Sequence, residues 1–152
     1  MTSIEVRGHE QLADLGRRFK AAGDRGKGLR KQLLKEIRQV VKPVLPEIRS
    51  HAASILPKRG GLAAEVASAQ LAVRTNLGPK SASVKVVSTS PGRFRDLNRG
   101  RLRHPVFGNR EKWVQQSVWP GWFTDRIEAR KPRMQGAVLH AMRQTAHEIE
   151  RG

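Results

Sequence analysis

An apolar stripe with two prolines inside it constrains this chain more than any other feature. Leu29, Leu33, Ile37, Val40, Val41, Val44, Leu45 and Ile48 recur at the three- and four-residue steps of one helix face. Arg30, Lys31, Lys35, Arg38, Lys42 and Arg49 fall mostly on the other faces. Pro43 and Pro46 lie within the pattern. Each removes a backbone donor and crowds the preceding turn, so the spacing predicts a long helix kinked near residues 40–46. Helix then resumes to about Ile55, and Pro57 with the Gly60-Gly61 pair ends it.

The rest of the chain reads as helices, then strands, then a helix, which is the order of an α+β fold. Ser3 to Arg7 alternates as a short strand that stops at Gly8. Leu12, Leu15, Phe19 and Ala22 predict a first helix over His9 to Ala22, broken by the glycines of Gly23 to Gly28. Leu62 to Ala69 suits a short helical segment. Leu71 to Leu77 and Ser83 to Ser88 alternate with period two around Gly78-Pro79-Lys80-Ser81, a β-hairpin pattern, and Lys112 to Val118 reads as a third strand. Thr124 or Asp125 caps a short turn, and Pro132 suits the first position of a final helix with Met134, Val138, Ala141, Met142, Thr145 and Ile149 inward. The expected architecture is one domain over residues 1–152. It has a long kinked N-terminal helix, a small antiparallel β-sheet with a long basic loop, and a C-terminal helix. Pro91 to Arg110, arginine-rich and poor in apolar residues, is expected to form that loop as an extended arm.

Charge says what such a fold would meet. Thirty Lys and Arg against thirteen Asp and Glu leave a net charge of +17, a field that attracts phosphate backbones, acidic protein faces or anionic lipid. At 38% hydrophobic and 5% aromatic residues, with no Tyr, the core is expected to be thin. Some apolar surface would then be covered only by other subunits. No apolar run reaches the roughly 18 residues of a membrane span. Met1 to Glu10 lacks the apolar centre of a secretory signal.

No catalytic constellation stands out. Without cysteine there is no disulfide, thiolate nucleophile or cysteine metal site. His9, His51, His104, His140 and His147 show no spacing that pairs two of them on one helix face beside an acid. His140 and His147, two turns apart, are read as a solvated face. The acids are dispersed, and no pattern suggests the clustered carboxylates of a metal-dependent nuclease. The expectation is a binding and assembly protein, not an enzyme, with no cofactor and no metal. Phe94, Phe107, Trp113, Trp119 and Trp122 lie among the arginines, where they could stack on bases or serve as a small core that ties the loop down.

One segment is distinctive: Arg101-Leu102-Arg103-His104-Pro105-Val106-Phe107-Gly108-Asn109, then Trp113-Val114-Gln115-Gln116, then Pro120-Gly121-Trp122-Phe123. With the upstream Leu56-Pro57-Lys58-Arg59-Gly60-Gly61-Leu62, it resembles the neck and tail-completion proteins of siphophages, the minor tail protein Z-like members of the head–tail connector. Many relatives carry Pro-Ala-Arg-Pro-Phe where this chain has Trp119 to Phe123, and an acid where it has Val106. The resemblance implies a structural virion protein, made in the bacterial cytoplasm. Its copies would form a ring, a hexamer, joining the tail tube to the head-closure proteins around the DNA channel. Its partners would be its own copies, neighbouring connector and tail-tube proteins and the genomic DNA, with no membrane. Arg93, Arg95, Arg99, Arg101, Arg103, Phe107, Trp119 and Trp122 are the expected partner contacts. Lys31, Lys35, Arg38 and Lys42 are expected to face DNA or an acidic partner. The runner-up is a sequence-nonspecific basic nucleic-acid-binding protein.

Overall fold

The prolines act as the stripe requires. In the computed structural model, which describes residues 2–4, 9–77, 82–89 and 93–152, helix α1 spans His9–Ala21, α2 spans Gly23–Val41 and α3 spans Val44–Ile55. Leu33, Ile37, Val41, Val44, Leu45 and Ile48 are all buried. The interruption is only Lys42 and Pro43. Lys42 N still donates to Arg38 O at 2.8 Å, whereas Pro43 has no N–H to continue the ladder. Pro46 sits in the first turn of α3, where a backbone N–H has no partner within the helix.

The glycine-rich stretch differs from expectation. Only Gly23, at φ +60°, departs from helical geometry, and Gly26 and Gly28 lie inside α2. Gly26 is buried where α1 and α2 meet, and a Cβ there would strike the Phe19 carbonyl. A close approach of two backbones, not a flexible break, explains that glycine.

The class is α+β with two small antiparallel sheets. The chain forms two compact units, each assembled from separated segments. The first comprises residues 1–43, 72–87 and 130–152. It holds α1, α2 and a three-stranded sheet of β1 (Thr2–Ile4), β2 (Leu71–Leu77) and β3 (Ala82–Ser88) in the order β1-β3-β2. β1 runs antiparallel to β3 with Ile4 opposite Val84. The expected hairpin turn at Gly78 to Ser81 and the strand residues Glu5 to Arg7 lie outside the described residues. Leu15, Phe19, Leu33, Ile37, Val84 and Val86 are in its core. Arg18 bonds Asp14 at 2.9 Å and Glu150 at 2.7 Å, and Arg25 donates to Glu148 O at 2.7 Å, tying α1 and α2 to the last turns of the C-terminal helix. The Glu150 hydrogen bond first, then Asp14, holds the Arg18 guanidinium above its ordinary pKa.

The C-terminal helix, α6, is continuous from Thr124 to Arg151 with Pro132 in its interior, so Pro132 does not open a separate helix. Its exposed position leaves the ring in solvent, and the neighbouring turns carry the helix past one missing bond. Met134, Val138, Ala141, Met142 and Thr145 are buried as the periodicity predicts, and the Thr145 hydroxyl donates to Ala141 O at 3.0 Å.

The second unit comprises residues 44–71 and 88–129. It contains α3, a 3-10 turn at Arg59–Gly61, α4 (Leu62–Ala67) and α5 (Arg93–Asn98). A two-stranded sheet of β4 (Arg101–Val106) and β5 (Asn109–Ser117) and the first turns of α6 complete it. Residues 93–117 are therefore not a structureless loop: they form a helix and an antiparallel ribbon. The expected third strand exists as part of β5, but its partner is β4. β1 fills the third place beside β2 and β3 instead.

Candidate interface: the ribbon and the basic helix face

The ribbon grows from a well-packed base. Phe94 and Leu97 on α5 are buried, and Trp122 and Phe123 pack with them. Trp122 meets Phe94 edge-on at 5.9 Å and 81°, and Phe123 at 5.5 Å and 60°. Its indole N–H donates to Phe94 O at 3.1 Å, so the polar end of a buried ring is satisfied. Asn98 latches the following turn: its Oδ1 accepts from Phe123 N at 2.9 Å and Thr124 N at 3.2 Å, and its carbonyl accepts from Gly121 N at 2.9 Å. Val118 N donates to Gly100 O at 3.0 Å, closing the base of the two strands. Arg93 pairs with Glu65 of α4.

Beyond this base the side chains leave the core. All nine residues of β5 are exposed. Cross-strand pairing sets Arg101 opposite Ser117, Arg103 opposite Gln115 and Pro105 opposite Trp113 on one face. Leu102 with Gln116 and His104 with Val114 share the other. The Arg103 guanidinium lies over the Trp113 ring, 5.2 Å from its centroid, and Trp113 Nε1 donates to Arg110 O at 2.7 Å. Between Pro105 opposite Trp113 and Val106 opposite Asn109 the register shifts, so Arg110, Glu111 and Lys112 bulge from β5 next to the tip.

The tip is Phe107-Gly108. Phe107 has φ +47° and Gly108 φ +79°, the left-handed pair of a type I′ hairpin turn, and Phe107 is fully exposed. Asn or Gly accepts that first position readily, whereas an aromatic residue is strained there.

A second basic surface runs along α2. Lys31, Lys35, Arg38 and Lys42 are exposed on one side of the helix, opposite buried Leu33, Ile37 and Val41. No ion pair holds any of these four cations among the described residues, and Glu36, between them, is engaged by Gln32 at 3.2 Å.

Of the expected partner contacts, Arg95, Arg99, Arg101, Arg103, Phe107 and Trp119 are exposed, and Arg93 is exposed but paired. Trp122 is a correction. It is 1% exposed and anchors the core beneath the ribbon, so it presents no surface to a partner. The aromatic residues divide: Phe94, Trp122 and Phe123 tie the base down, while Phe107, Trp113 and Trp119 face solvent.

One polar cluster has no sequence signal. His51 on α3 is nearly buried, with Nε2 3.5 Å from Asp125 Oδ2 and Nδ1 3.4 Å from Arg126 Nη2. Its partners are remote in sequence and no spacing rule connects them. His140 and His147 are exposed on α6. Among the described residues no group of three His, Asp or Glu side chains converges to hold a metal ion.

Comparison with known proteins finds no matching family model, no matching curated protein and no matching solved structure.

Proposed function

We propose that this protein is a structural subunit of a phage head-to-tail connector. Its copies assemble into a ring, a hexamer, that joins the tail tube to the head-closure proteins around the DNA path. It works by binding rather than catalysis and needs no cofactor. The resemblance carried by Arg101 to Asn109 and Pro120 to Phe123 motivates the reading. The single observation that carries it is the β4–β5 ribbon, which with its turn leaves Phe107, Trp113 and Val114 in solvent beside four cations and one acid, next to exposed Trp119. Exposed apolar side chains set among arginines belong to a surface completed by an anionic partner.

The test is a phage carrying the gene with Arg101 to Ser117 replaced by a short Gly-Ser turn. Heads and tails form normally but fail to join, seen by negative-stain imaging. Normal joining, with the altered protein folded and present, overturns the reading. A specific feature favours a second reading, a nonspecific nucleic-acid-binding protein: the row of unpaired cations on α2. A free monomer that grips DNA with a steep salt dependence, in a phage whose heads and tails join without it, supports that alternative.

A further inference from the structure

We infer that the β4–β5 ribbon is a duplex-DNA arm that enters the minor groove and wedges Phe107 between base steps. Four independent observations converge on that partner. A two-stranded ribbon fits the wide major groove of an undistorted duplex, and strands also occupy a minor groove opened by bending, as a wedging tip would open it. β5, nine residues long, extends the ribbon beyond its base. Its cations are placed for phosphates: Arg101 and Arg103 line one face, and Arg110 and Lys112 bulge beside the tip. No carboxylate holds any of these four among the described residues, and Glu111 is the ribbon's one acid. Arginine is also a residue that minor-groove proteins use beside their wedges to hold a bent duplex.

The tip supplies the third and fourth observations. Phe107 is fully exposed, so it contributes nothing to the core, and it occupies a left-handed position that suits Asn or Gly. A strained aromatic with no internal contact to explain it is accounted for by an external one. A single exposed apolar side chain at the end of a cationic arm matches the physics of groove wedges: it unstacks one step and kinks the duplex. An acidic protein surface would satisfy the arginines but would need a preformed apolar hole for Phe107. Every duplex step offers a stacking surface to such a wedge.

This inference goes beyond the connector reading. A subunit around a DNA path and a free-standing DNA-binding protein would both use such an arm, and the joining assay above reports on the connector separately. The experiment uses the full chain and a duplex of about 30 base pairs carrying a fluorophore at each end. Anisotropy reads binding, and energy transfer between the ends reads bending. The wild-type chain is expected to bind at ~0.1 M salt and to raise energy transfer. Phe107→Ala and Phe107→Asn, the second of which suits the turn better than Phe, should bind within about threefold of wild type but lose the bend. The double change Arg103→Ala with Arg110→Ala should weaken binding about tenfold or more and lower the salt slope by about two.

Bending that survives both Phe107 changes overturns the wedge. Duplex binding that is insensitive to the arginine change overturns the ribbon as the DNA arm and moves binding to α2. Retained duplex binding combined with lost binding to a polyglutamate probe assigns the ribbon to an acidic protein and likewise overturns the inference.

Discussion

Two clusters of aromatic residues stand within one short, arginine-rich segment and meet opposite fates. At the base of the ribbon Phe94, Trp122 and Phe123 are buried, and the indole N–H of Trp122 has a carbonyl partner. Phe107 and Trp113 at its far end, and Trp119 just past the end of β5, stand in solvent, with Arg103 stacked on Trp113. Composition does not separate the two. What does is whether a second layer lies opposite: α5 and the start of α6 cover the base, whereas β4 and β5 pair only with each other. The base therefore contributes to stability and the end is free to contribute to binding.

That division makes unequal predictions for similar changes. Trp122→Ala should destabilise the protein by about 3–5 kcal/mol, because it empties a filled site and orphans the Phe94 carbonyl. Trp119→Ala should stay within about 0.5 kcal/mol by urea unfolding. Trp113→Ala, which loses the bond to Arg110 O and the stack with Arg103, should cost only about 1 kcal/mol. Equal losses at Trp122 and Trp113 would show that the ribbon is packed after all. Asn98→Ala, which removes the latch on Phe123 and Thr124, should cost about 1–2 kcal/mol by the same measurement. Phe107→Asn should move the other way, raising stability by roughly 0.5–1 kcal/mol through relief of the left-handed strain while removing the bend in DNA. A loss of stability there would mean that Phe107 has a contact within the fold.

The glycines of α2 offer a parallel pair. Gly26→Ala forces a methyl group into the Phe19 carbonyl and should cost about 1–3 kcal/mol. Gly28→Ala meets open space at an exposed helical position and should stabilise by up to about 1 kcal/mol. Thermal unfolding of both variants reads the contrast directly.

Much of the helical framework was legible in the residues. The stripe from Leu29 to Ile48 marks α2 and α3, Pro43 marks their interruption, and Met134 to Thr145 marks the inner face of α6. Helical periodicity is a local property, and a proline acts on its own turn, so neither depends on distant partners. The period-two alternation that marks β2 and β3 is local too, and both strands form and pair, while the turn expected between them lies outside the described residues. The α5–β4 stretch was not legible: arginines carry little periodic signal, and β4 exists through its pairing with β5.

The candidate site divides in the same way. Sequence by itself determined that the chain is strongly basic, that arginines gather at residues 93–110, and that lysines line the outer face of α2. Only tertiary structure decided that Trp122 is core, that Phe107 is the tip, that Pro132 lies inside a continuous helix, and that Gly26 is a crossing point. Each of these depends on what lies across from a residue. Burial, turn geometry and backbone approach are relations between segments, and no single segment encodes them.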